Sequence, residues 1–137
     1  MLRNGDAHLK NFGVLYQHTE GRVVLAPAYD IVTTTAYLPN DSLALTLAGS
    51  KRWPKPQRLL EFGRQQCHLS RNKAIGLLDQ IREAVEVTRE ELRAYKDCTP
   101  AFQEIGSRML AAWEVGRELA TTVVKPVGYK ADKHSSR

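Results

Sequence analysis

Cysteine is nearly absent from this 137-residue chain: Cys67 and Cys98 are the two present, and neither lies in a CxxC pair. So few thiols exclude a disulfide framework. His68 beside Cys67 adds one more soft donor, but no second Cys or His stands at ligand spacing, so no metal is expected there. Long apolar runs are missing as well. No stretch approaches the roughly 18 uninterrupted apolar residues that a membrane helix needs. Met1-Leu2-Arg3-Asn4 opens without the apolar core of a secretory leader. Internal repeats are lacking too. These absences together lead to the expectation of a reducing, cytoplasmic setting with no membrane association.

What is present is ordinary for a globular protein: 42% of residues are hydrophobic and 26% charged. The length suits one domain, expected over residues 1–124, and is small for a complete two-lobed enzyme. The formal net charge is +5, but residues 125–137 carry +3 of it through Lys125, Lys130, Lys133 and Arg137 against Asp132. A basic end of this kind is expected to be a solvated tail, and direct nucleic-acid binding is disfavoured.

Residues 1–50 read as short strands and loops. Phe12–Tyr16 and Arg22–Leu25 are β-rich runs separated by a polar stretch ending in Gly21, which predicts a hairpin. Pro27 stops the second run, and alternation of Leu43, Leu45 and Leu47 suggests a third short strand. Residues 51–124 read as helical. A short helix is predicted from Gln57 to Gln66, after Pro54 and Pro56. A long one follows, with Ser70 as N-cap and apolar positions Ala74, Leu77, Leu78, Ile81, Val85, Thr88, Leu92 and Tyr95 at three- and four-residue steps. Charged residues occupy mainly its other face, with Arg82/Glu86 and Glu90/Arg93 as expected pairs. Asp97-Cys98 breaks the pattern. Thr99 as N-cap and Pro100 at the first helical position restart it, and Phe102, Ile105, Met109, Ala112, Trp113, Gly116, Leu119 and Ala120 form one stripe. So short a break predicts two antiparallel helices, with Met109 and Trp113 in their core. The fold class expected is mainly α with a small β-hairpin, an α+β arrangement.

Chemistry concentrates at Asn4-Gly5-Asp6-Ala7-His8-Leu9-Lys10-Asn11-Phe12. Asp6 and Asn11 stand five positions apart, the spacing of the Asp that accepts the substrate proton and the Asn that holds metal in kinase catalytic loops. A hairpin returns its end near its start, so Asp30 in Ala26-Pro27-Ala28-Tyr29-Asp30 is placed to share a metal with Asn11. Hard oxygen donors of this kind suit magnesium. Plainer readings stand beside this one. Asp6 and Asn11 can serve as turn residues, His8 as a hydrogen-bonded histidine, Lys10 as a solvent-facing cation, and Tyr29 and Tyr37 as packing residues.

The loop, followed by Leu25-Ala26-Pro27-Ala28-Tyr29-Asp30-Ile31-Val32-Thr33-Thr34, resembles the signature of HipA-like serine/threonine kinases. The likeness runs on through Leu43-Ala44-Leu45, Gly49-Ser50-Lys51 and Trp53 and covers about residues 4 to 95. It implies the mostly helical, kinase-like C-terminal lobe, with Asp6 as general base and Asn11 and Asp30 as magnesium ligands. His8 and Lys10 are implied near the phosphates of ATP. Members of this family are toxin halves of bacterial toxin–antitoxin pairs. They phosphorylate proteins such as aminoacyl-tRNA synthetases and bind a helix-turn-helix antitoxin. The lobe that grips ATP in the family precedes this motif, whereas five residues precede Asp6 here. The nine glycines are dispersed and form no GxGxxG. The chain alone is therefore expected to be inactive. Two other readings stay open: a non-catalytic module that docks on an antitoxin or an N-terminal-lobe partner, and a phosphotransferase of the aminoglycoside or choline kinase type.

Overall fold

A computed structural model describes residues 1–121; the expected tail over residues 125–137 lies outside the described residues. Two β-strands, β1 (Val14–Leu15) and β2 (Val24–Leu25), are followed by three helices, α1 (Pro56–Gln65), α2 (Arg71–Cys98) and α3 (Gln103–Thr121). This is the α+β composition expected from the sequence. No helix among the described residues is long and apolar enough to cross a membrane.

Each helix starts where its local chemistry dictates. Pro56 at the first position of α1 needs no N–H partner. Ser70 caps α2, its Oγ accepting from the Lys73 N–H at 3.2 Å. Cys98 ends α2, and Pro100–Phe102 form a 3₁₀ turn before α3. Thr99 is the cap of that turn, but its side chain makes no capping bond, so α3 begins three residues later than Thr99-Pro100 suggests. Helices α2 and α3 run antiparallel. Tyr95 meets Phe102 edge-on at 5.1 Å near the turn. Farther along, Arg89 bonds Glu114 at 2.7 Å and Arg117 lies 3.7 Å from Glu86.

Between them Val85, Ala112 and Trp113 form a core against which Met1, Leu2, Leu92 and Met109 pack. Ala74 is also buried, where α2 crosses α1 beside Gly63. The expected stripe of α2 is narrower in the structure. Ile81 is 51% exposed, because α1 and α3 leave that flank of the long helix uncovered. The charges are also arranged differently. Arg82 pairs with Asp79 at 2.5 Å and not with Glu86, which instead faces Arg89 and Arg117; the Glu90/Arg93 pair forms as expected.

The hairpin is shorter than its β-rich runs. Val14 pairs with Leu25 and Leu15 with Val24, and the Ala26 N–H adds a bond to the Gly13 carbonyl at 2.9 Å. No layer among the described residues covers it, and a bare two-stranded ladder gains little from packing. The third strand expected at Leu43–Leu47 does not form. Ala48 and Gly49 both adopt left-handed backbone (φ 49° and 80°), the geometry of a tight hairpin turn, but among the described residues the returning arm pairs at the Leu47–Ser50 bridge alone, with Pro54 four residues farther on. Tyr37, expected to pack, is 66% exposed on the loop after the 3₁₀ turn Thr34–Ala36.

Candidate active site

The loop bearing Asp6 is anchored from behind. Gly5 is buried, and a β-carbon there would stand 2.0 Å from Asp41 Oδ2 and 2.6 Å from the Ser42 carbonyl, so no larger residue fits unless the 41–42 segment moves. The Gly5 N–H donates to Thr34 Oγ1 at 2.7 Å, and that hydroxyl donates to the Arg3 carbonyl at 3.2 Å. Next to it, buried Thr33 accepts from Trp113 Nε1 at 2.6 Å. The apolar core of the helix pair is thus connected by hydrogen bonds to the peptide groups on both sides of Asn4. Arg3 lies over the Trp53 ring at 4.4 Å, and its desolvation pulls the guanidinium pKa down from the usual arginine value.

After Asp6 the chain makes a 3₁₀ turn over Leu9–Asn11. Asn11 faces both ways: its Oδ1 accepts from the His8 N–H at 3.0 Å, and its Nδ2 donates to Asp30 Oδ2 at 2.6 Å. Hairpin β1–β2 supplies the closure, carrying the chain away from Asn11 and back to Asp30. Asp30 itself sits in left-handed backbone at φ 54°, a conformation that Asp adopts more readily than most non-glycine residues. Tyr29, with its ring above Gly13, donates its hydroxyl to the Lys10 carbonyl at 2.5 Å. A mostly apolar cavity of about 190 Å³ opens beside the pair, lined by Asn11, Phe12, Leu25, Pro27, Tyr29 and Asp30 among others.

The predicted site residues therefore do not all meet directly. Asn11 and Asp30 touch. Asp6 joins them through the main chain: its N–H donates to Asn4 Oδ1 at 3.0 Å, while Asn4 Nδ2 donates to the Asp30 carbonyl at 3.3 Å. The Asp6 carboxylate is exposed, does not line the cavity and faces His8 Nε2 at 4.0 Å. His8 Nδ1 is buried without a hydrogen-bond partner among the described residues. Lys10 is exposed at the turn. Sequence reasoning missed Asn4, Thr34 and the Tyr29 hydroxyl. An Asn two residues before an Asp is a recognisable Asx-turn signal; the reach from Asn4 to Asp30, across 26 positions, leaves none.

The donor set suits magnesium. Asp30 Oδ1 is a hard oxygen with no hydrogen-bond partner among the described residues, whereas Asn11 faces Asp30 with Nδ2 and its Oδ1 accepts from the His8 N–H, so the Asn11 carboxamide would have to turn over to add a second oxygen ligand. No cluster of three or more His, Cys, Asp or Glu able to hold a metal occurs among them. Two protein ligands with the rest supplied by water and phosphate is a common magnesium arrangement.

Comparison with known proteins agrees with this layout. The family described as HipA-like C-terminal domain matches residues 1–89, which contain the whole loop, hairpin and Asp30. This chain belongs to that family. A relative, Putative kinase Y4dM of Sinorhizobium fredii (strain NBRC 101917 / NGR234), is 28% identical over 109 residues, which is 77% of this chain and 25% of that protein. The HipA-like chain described here thus spans about a quarter of that relative's length. No solved structure matches it.

Proposed function

We propose that this chain is the catalytic-loop portion of a HipA-type protein serine/threonine kinase, which moves the γ-phosphoryl group of ATP to a protein hydroxyl. The observation that carries the reading is the contact between Asn11 and Asp30, two oxygen-bearing side chains brought together over 19 positions by the hairpin. Asp6 is the general base: it takes the hydroxyl proton as the hydroxyl oxygen bonds to phosphorus and ADP leaves. Asn11 and Asp30 would hold magnesium, whose role when bound is to offset the charge of the phosphates. His8 and Lys10 lie on the same loop and add cationic or hydrogen-bonding groups toward those phosphates. Family membership over residues 1–89 favours this reading over an aminoglycoside- or choline-type phosphotransferase.

The surrounding biology follows as part of the proposal. The complete protein is a cytoplasmic bacterial toxin that modifies a protein such as an aminoacyl-tRNA synthetase and is held by a helix-turn-helix antitoxin. The chain itself, with no glycine-rich loop to donate backbone N–H groups to phosphates, transfers no phosphate alone, since positioning is most of this chemistry. A second reading, a docking module for an antitoxin or an N-terminal lobe, has its own support in the hairpin. Val14, Leu15, Tyr16, Val24 and Leu25 are between 41% and 72% exposed there.

Both readings meet one test. The purified chain is titrated with Mn²⁺ in the presence of ATP, and incubated with labelled ATP, magnesium and a general protein substrate. The kinase reading expects Mn²⁺ binding that Asp30→Asn and Asn11→Ala weaken, with no labelling of the substrate. Binding indifferent to both substitutions would sink the metal site. Labelling that disappears in Asp6→Ala would show a more complete catalytic apparatus than proposed.

A further inference from the structure

We infer that Asn4 is a positioning residue that sets the backbone of Asp30, and through it the separation of Asp30 from Asn11. Asn4 is the side chain that contacts both arms of the site, accepting from the Asp6 N–H at 3.0 Å and donating to the Asp30 carbonyl at 3.3 Å. Only a group that is donor and acceptor at once does both, and the carboxamide is the short side chain that offers the two on separate atoms. At φ 54° Asp30 occupies the left-handed region, which Asp tolerates better than most non-glycine residues but leaves readily unless a neighbour holds it. Asn11 holds the Asp30 carboxylate, but a carboxylate can follow its partner through χ1 and χ2 while the backbone relaxes. The Asn4 bond falls on the carbonyl, where it opposes that relaxation.

Asn4 is itself firmly placed. The carbonyl before it and the N–H after it are both tied to Thr34 Oγ1, and the adjacent Thr33 is bonded to buried Trp113. The positional order of the helix pair therefore reaches the Asp30 carbonyl through Asn4, in addition to the short run of backbone from Thr33 back to Asp30.

The inference rests on the reading of Asn11 and Asp30 as a metal pair, but part of its test is independent of metal. Asn4→Asp keeps the acceptor for the Asp6 N–H and loses the donor to Asp30; Asn4→Ala loses both. Three quantities are measured by NMR on the full chain. They are the intraresidue HN–Hα cross-peak of Asp30, strong in left-handed backbone, the exchange rate of the Asp6 amide, and the affinity for Mn²⁺ alone. Asn4→Asp is expected to weaken the Asp30 cross-peak and leave the Asp6 amide protected, while Asn4→Ala disturbs both. Mn²⁺ affinity should fall by about 10–100-fold in each, the usual effect of removing a group that orients a ligand. Amide exchange in α2 and α3 should not change. Wild-type values of the cross-peak and of Mn²⁺ affinity in both variants would overturn the inference, and so would faster exchange throughout α2 and α3, which would make Asn4 a residue of the fold. If the wild-type chain binds no Mn²⁺ yet Asn4→Asp still releases Asp30, the metal reading fails and the positioning role stands.

Discussion

In residues 56–121 order comes from helices whose apolar faces meet; in residues 3–50, beyond the Met1 and Leu2 side chains that join that core, it comes mainly from single hydrogen bonds between the backbone and short polar side chains. The helical part buries Leu60, Ala74, Val85, Ala112 and Trp113, whereas the loop part buries little beyond Gly5, Thr33 and Ala36. Apolar burial is non-directional and tolerates substitutions of similar volume. Hydrogen bonds to particular carbonyls are directional, contribute about 0.5–1.5 kcal/mol each, and fix where a carboxylate lies. The chain uses the first means where it needs mass and the second where it needs placement.

Trp113 belongs to both regions, so its loss should break the contrast most severely. Trp113→Ala is expected to cost about 3–5 kcal/mol in a denaturation experiment and to loosen Thr33 and the loop together. Trp113→Phe keeps most of the packing while leaving the buried Thr33 hydroxyl without its donor, at about 1–3 kcal/mol. If the loop's amide exchange is unchanged in both, the two regions are not coupled through this residue.

Gly5→Ala confines the damage to the loop side. Its β-carbon would press on Asp41 and the Ser42 carbonyl, at an expected cost of about 1–3 kcal/mol. Chemical-shift changes should centre on residues 41–44, with α2 and α3 unaffected.

Asp30→Gly sets small effects against each other. Glycine takes left-handed backbone freely, but Asp already tolerates it, and the variant loses the Asn11 bond and is freer when unfolded, so a net loss of about 1 kcal/mol is expected, read as a lowered Tm. The same variant should lose Mn²⁺ binding. A raised Tm would mean that the strain at Asp30 outweighs the Asn11 bond.

Smaller effects are expected on the helix surface. The Glu114 carboxyl is held below the usual glutamate range, chiefly by its hydrogen bond to Arg117 and then by the Arg117, Arg89 and Arg93 charges. A lowered folded-state pKa means that the pairing stabilises fully above the ordinary Glu pKa and fades as pH falls through the lowered one. The Tm difference between the wild type and Glu114→Gln should therefore shrink as the solution is acidified, and a constant difference would remove the titration argument. Smallest of all, Ile81→Ala should stay within about 0.5 kcal/mol because that side chain is half in solvent.

Much of this contrast was legible in the residues, and unevenly so. Ser70, Pro56 and the apolar steps mark α1 and α2 because caps and periodicity are local signals. Ile81 fits the same period, yet periodicity states which residues share a face and not how wide a face the neighbours cover. In the loop part, the closeness of Asn11 to Asp30 was legible from the order of loop, hairpin and carboxylate. The Asn4 and Thr34 ties were not, because single bonds across 26 to 31 positions follow no repeat. The strand expected at Leu43–Leu47 failed for another reason: its alternation is real, but the arm that returns after the Ala48-Gly49 turn runs only from Ser50 to Pro54 and pairs at one bridge.

The short ladder of β1 and β2 also bears on how lengths can vary in evolution. Asn11 and Asp30 are held at the hairpin's base, while residues 16–23 at its far end contribute no hydrogen bond to either. Loop-closure entropy grows slowly, by about 0.6 kcal/mol for each doubling of length. Insertions at the tip can therefore accumulate, or an unrelated segment be grafted there, without altering the distance between Asn11 and Asp30. The number of residues between the two is thus a weak constraint on their contact.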